Sequence, residues 1–66
     1  MAKYRAENSH LIKGEQVDKK VVFLAESDDE AKEMFVIMRR KDKTIQEQGL
    51  FRVNGNRLVA EYKGYI

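Results

Sequence analysis

The chain has 66 residues, 42 % hydrophobic and 36 % charged, with 13 basic residues against 11 acidic and neither cysteine nor proline. That length holds one small domain (1–66) near the lower limit for a self-supporting core, and the lack of cysteine excludes disulfide staples and thiolate metal sites. The longest apolar run, Val21–Ala25, is too short to span a membrane, Met-Ala-Lys-Tyr-Arg at the start lacks a signal-peptide apolar segment, and a net charge of +2 permits anion binding without implying it.

The first segment, Lys3–Ile12, ends at Lys13-Gly14, a turn dipeptide. A two-residue turn there sets Ile12 opposite Glu15, and the register then places Tyr4 opposite Phe23, Ala6 opposite Val21 and Glu7 opposite Lys20. An aromatic pair and an opposite-charge pair in one register support each other, so Lys3–Ile12 and Gln16–Glu26 are expected to form an antiparallel hairpin.

A helix is expected directly afterwards. Ser27 can cap it, Glu30 can reach back to complete a capping box, and Asp28 and Asp29 suit the positive end of the helix dipole. Ala31, Met34, Phe35, Ile37 and Met38 fall within one arc at 100° per residue and are expected to lie on a sheet, with Val36 on the far side. Arg39-Arg40-Lys41 suits a helix C-terminus, and the helix is expected to fray near Lys41-Asp42-Lys43.

The C-terminal third reads as a second hairpin around Val53-Asn54-Gly55-Asn56, whose Asn-Gly tolerates positive φ at both central turn positions. A two-residue loop pairs Val53 with Asn56, Arg52 with Arg57, Phe51 with Leu58, and Leu50 with Val59. Phe51, Val53, Leu58, Ala60 and Tyr62 then share one face, and Leu50, Arg52, Arg57, Val59, Glu61 and Lys63 the other. Thr44–Gly49 is read as an extension of this strand, with a bulge at Gly49.

The fold expected is α+β, β-β-α-β-β: a mainly antiparallel four-stranded sheet with one helix on the Tyr4, Phe23, Phe51, Leu58 and Tyr62 face. If the strands flanking the helix are neighbours, they run parallel through a right-handed crossover.

Little in the inventory points to catalysis. His10 is the single histidine, and Ser9 beside it points to the opposite face of a strand, so the two cannot make a dyad. Ser27 is occupied as a cap. The carboxylates of Glu26, Asp28, Asp29, Glu30 and Glu33 radiate around a helix start instead of converging on a cation, and Gly14, Gly49, Gly55 and Gly64 form no phosphate loop. A non-enzymatic, cytoplasmic protein without a cofactor or metal is expected.

One helix leaves one sheet face open. In the registers above, that face presents Val22, Leu24, Leu50 and Val59, ringed by Lys3, Arg5, Lys20, Arg52, Arg57 and Lys63, with Glu7 and Glu61 interrupting. The first reading is a binding module whose protein partner, acidic to match the rim, is engaged through Val22, Leu24, Leu50, Arg52, Arg57 and Val59. Burying four such apolar side chains contributes about 1.5–3 kcal/mol each. That sum is comparable with an association cost of roughly 4–15 kcal/mol, so a homodimer through this face would be weak, and two basic rims would oppose it. The second reading is nucleic-acid backbone binding: Arg52 opposite Arg57 is repulsive, and a phosphate gripped by both, with Lys3, Arg5, Lys20 and Lys63 nearby, would relieve it. Of the aromatics only Tyr65 has the parity of the open face, which argues against base stacking. Long Lys and Arg stems lying over Val22 and Leu24 would give a face with no such role.

Overall fold

The computed structural model describes residues 1–64; Tyr65, expected on the open face, lies outside the described residues. The elements run β1 (Ala2–Ile12), β2 (Glu15–Ala25), α1 (Asp28–Lys41), β3 (Ile45–Arg52) and β4 (Arg57–Lys63). The four strands make one antiparallel sheet in the order β2-β1-β3-β4, with α1 on one face. β2 and β3, which flank the helix in sequence, are therefore not neighbours; β1 lies between them.

The β1–β2 hairpin has the register read from the sequence, from Ala2 opposite Ala25 to Ile12 opposite Glu15. Its turn holds Lys13 at φ 52° and Gly14 at φ 81°, the two left-handed residues a twisted two-residue hairpin requires. Tyr4 stacks on Phe23 with ring centroids 6.0 Å apart.

The helix starts as its capping signals dictate. Ser27 Oγ accepts from the Glu30 N–H at 3.2 Å, and Glu30 Oε1 accepts from the Glu26 N–H, one residue further back than a standard capping box. Ala31 and Phe35 are buried on the sheet, with Met34 and Met38 packed beside them. Ile37, expected in that arc, is 45 % exposed, because the helix meets the sheet along the narrower 31-34-35-38 stripe.

The second hairpin departs from expectation in its turn and its faces. Positive φ falls on Gly55 (84°) and Asn56 (46°), not on Asn54, and the Asn56 N–H bonds back to the Val53 carbonyl. The bulge in β3 lies at Gln46, between the Ser9–Glu47 and His10–Ile45 pairs, and not at Gly49. A further bulge at Val59 changes the register between Phe51–Leu58 and Leu50–Ala60. The extra residue shifts the phase of β4, so Leu58 points away from the helix while Ala60 and Tyr62 point toward it.

The core is Tyr4, Ala6, Ala25, Ala31, Phe35 and Leu50. Beneath the C-terminal half of α1 lies a polar chain. Buried Gln48 donates to Asn8 Oδ1 (3.0 Å) and to the Phe35 carbonyl (3.3 Å), and accepts from Arg39 (3.0 Å), whose guanidinium covers the Tyr62 ring at 3.9 Å. No buried side-chain polar atom among the described residues lacks a partner. His10 is buried at the sheet end with Nδ1 2.8 Å from Thr44 Oγ1 and 3.4 Å from Asp42 Oδ2.

Candidate interaction surface

Which side chains reach the open face follows from strand pairing. β1 presents its odd residues there, since Tyr4 and Ala6 are buried on the helix side. The pairs Val22–Arg5, Arg5–Phe51 and Phe51–Leu58 place those four residues in one row across all four strands. A second row begins with Leu24 opposite Lys3, whose carbonyl accepts from the N–H of Val53. Val22 is 58 % exposed, Leu24 54 % and Leu58 48 %.

Arg5 organises the middle of the first row. Its guanidinium lies 4.8 Å from the Phe51 ring centroid, its Nε donates to Glu7 Oε2 at 2.6 Å, and its Nη2 donates to Asn56 Oδ1 at 2.8 Å. Three partners hold the guanidinium over the Phe51 ring. Phe51 in turn leans over Gly49, where a Cβ would fall 2.9 Å from the ring. Glycine at this position leaves the ring its seat.

The rest of the face is charged but balanced. The following rows are Lys20–Glu7–Gly49–Glu61 and Asp18–Ser9–Glu47–Lys63. Lys3, Arg5, Lys20 and Lys63 thus stand with Glu7, Asp18, Glu47 and Glu61 on the same surface. Hydrogen bonds from Gln16 and then Ser9 hold the Asp18 carboxyl below its ordinary pKa.

Several residues expected on this face are elsewhere. Val22 and Leu24 are on it, as are Lys3, Arg5, Lys20 and Lys63. Leu50 is not: it is wholly buried against the helix. Val59 is half-buried at the bulge and packs against the core. Arg52, opposite Tyr4, and Arg57, opposite Arg52, belong to the helix side. The reason is phase: β3 sets Leu50 beside Ala6, and the Val59 bulge reverses β4 between Leu58 and Ala60. Phe51 and Leu58, expected under the helix, take the open positions instead.

The Arg52–Arg57 repulsion finds its answer within the chain. Arg57 Nη2 donates to Asp28 Oδ2 at 2.9 Å, and the Tyr4 hydroxyl donates to Asp28 Oδ1 at 2.6 Å. Those two bonds, Tyr4 first, hold the Asp28 carboxyl below its ordinary pKa; the same bond, aided by burial, raises the Tyr4 phenol. A carboxylate already occupies the place where a phosphate would relieve the two guanidinium groups.

Two other surfaces carry less. The outer face of α1 has a shallow depression lined by Lys32, Glu33, Val36, Ile37 and Arg40. Near the hairpin tip, Ser9, Leu11, Gln16, Gln46 and Glu47 border an open cleft of about 220 Å³, with His10 at its floor. Among the described residues no three His, Cys, Asp or Glu side chains group as metal ligands, and no helix is long and apolar enough to cross a membrane.

Comparison of the chain with protein-family models, curated proteins and solved structures gave no match.

Proposed function

We propose that this is a small non-enzymatic binding protein that engages a protein partner through the apolar half of its open sheet face. The observation that carries the reading is the Val22–Arg5–Phe51–Leu58 row with exposed Leu24 beside it. An antiparallel sheet facing water normally alternates to polar side chains; here apolar ones come from β2 on one side and from β3 and β4 on the other, with Lys3 and Arg5 of β1 between them. Arg5 is already held in place by Glu7, Asn56 and Phe51, so less side-chain entropy is lost when a partner covers it. The balanced charge of the face favours a partner that presents apolar groups ringed by both signs, in place of the acidic one expected from the sequence. Nucleic-acid backbone binding draws less support, because Arg52 and Arg57 lie on the helix side and Asp28 meets Arg57.

The test is retention of proteins from a cell extract on immobilised protein, quantified by mass spectrometry. Leu58→Asp and Leu24→Asp, each made separately, are expected to lose the proteins that wild type and the helix-face variant Ile37→Asp retain. Identical retention by all four overturns the proposal. Salt-sensitive oligonucleotide binding that falls on Arg52→Ala and Arg57→Ala would transfer it to nucleic acid.

A further inference from the structure

β2 is a sheet edge eleven residues long, paired with β1 throughout without a bulge and free of proline. Its outward backbone groups can be assigned. The Leu11 N–H bonds to the Thr44 carbonyl and the Val53 N–H to the Lys3 carbonyl, so the odd residues of β1 direct their backbone toward β3. The even ones therefore bond to the odd residues of β2, which leaves Gln16, Asp18, Lys20, Val22 and Leu24 with N–H and C=O groups on the free edge. The next outward N–H, that of Glu26, is taken by the Glu30 carboxylate. Charged side chains guard an edge against pairing, and here they stand in the first part of the strand only, at Glu15, Asp18, Lys19 and Lys20; Val21–Ala25 carries none.

We propose that the β2 edge pairs antiparallel with the β2 edge of a second copy, about a two-fold axis through Phe23, joining two sheets into one of eight strands. The outward parity permits only registers that set even residues opposite even residues. Centring on Phe23 sets Val22 opposite Leu24 of the other copy and Lys20 opposite Glu26, each twice by symmetry. Val22 and Leu24 then exchange backbone hydrogen bonds across the axis. On the helix side Phe23 meets Phe23, and Val21 meets Ala25. Sliding by one residue of each copy, to centre on Val22, sets Asp18 against Glu26 and Lys20 against Leu24; centring on Val21 sets Asp18 against Leu24 and Lys19 against Phe23. Centring on Leu24 sets Val22 against Glu26, and centring on Lys20 sets Lys20 against Lys20 and Val22 against Asp18, so charge and apolar matching favour the register centred on Phe23. The balanced open face removes the objection of two opposed basic rims, and edge pairing leaves that face uncovered for another partner.

The test is sedimentation equilibrium of the purified protein from micromolar to millimolar concentration. A dimer of the 7.7 kDa chain is expected. Glu26→Lys, in an exposed position beyond the strand, is expected to weaken association about tenfold or more by setting Lys against Lys20 twice, and Lys20→Glu likewise. The double variant is expected to restore it. Any effect of Lys20→Glu on the neighbouring Glu7 within one chain would persist in the double variant, so restoration reports on the contact between copies. Leu24→Pro, which removes an outward N–H and no bond to β1, is expected to abolish the dimer while the amide spectrum keeps the monomer's dispersion. Single-chain mass throughout, a dimer indifferent to Glu26→Lys, or no restoration by the double variant overturns the proposal. Because Leu58 lies on β4, partner loss in Leu58→Asp with the dimer intact separates the two readings.

Discussion

The Tyr4 hydroxyl donates to Asp28 Oδ1 at 2.6 Å, joining an inner strand of the sheet to the first turn of the helix. Asp28 also receives Arg57 from the opposite edge strand. One carboxylate therefore ties β1, α1 and β4 together. Tyr4→Phe is expected to keep the ring stacked on Phe23 and still lower the melting temperature, and Asp28→Asn is expected to lower it further by also weakening the Arg57 contact. Thermal melts followed by circular dichroism check the order.

Acid should destabilise the protein through identified groups. Asp28, Asp42 and Asp18 are each held below the ordinary carboxylate range: by Tyr4 and Arg57, by the hydroxyl and N–H of Thr44, and by Gln16 and Ser9. A carboxyl with a lowered folded-state pKa binds fewer protons folded than unfolded, so its contribution is present above the unfolded value and is lost as pH falls through the folded one. Urea midpoints are expected to drop between neutral pH and the acid range, and Asp28→Asn is expected to flatten that drop. An unchanged slope in the variant would remove Asp28 from the account.

Leu50 and Leu24 should behave oppositely on truncation. Leu50→Ala empties a wholly buried site and is expected to cost about 2–5 kcal/mol. Leu24→Ala touches a side chain more than half exposed and is expected to stay within about 0.5 kcal/mol at concentrations where the chain is monomeric. Urea unfolding of both variants decides whether the faces of the second hairpin are as described.

Replacing buried Gln48 by Leu is expected to destabilise, although it adds hydrophobicity. The change leaves Asn8 Oδ1 and Arg39 without their partner, and a buried group deprived of its hydrogen bond costs about 1–3 kcal/mol. Calorimetric melting checks the sign.

The first hairpin and the helix were legible because their signals are local. Lys13-Gly14 fixes one turn, and complementary pairs such as Glu7–Lys20 fix its register. Ser27 and Glu30 mark the helix start. The faces of the second hairpin were not legible. They depend on a pairing between β1 and β3, distant in sequence, and on a bulge at Val59 that no glycine or other special residue marks. Aromatic bulk pointed Phe51 toward the core. Gly49 two residues earlier was the available sign to the contrary, since a glycine on the same face offers a ring somewhere to rest. The misplacement carried Leu50, Arg52 and Arg57 with it, and with them the argument for phosphate.

Of the four strands, β1 emerges first from the ribosome and yet sits inside the sheet, between β2 and β3. Its hairpin with β2 can form early, but a lone two-stranded ribbon is at best marginal in water. Lys3 must wait for Val53, and Leu11 for Thr44, before the other side of β1 is satisfied. Nascent chains that stop before β3 should therefore remain protease-sensitive, and stable structure should arrive abruptly once residues 45–53 are released.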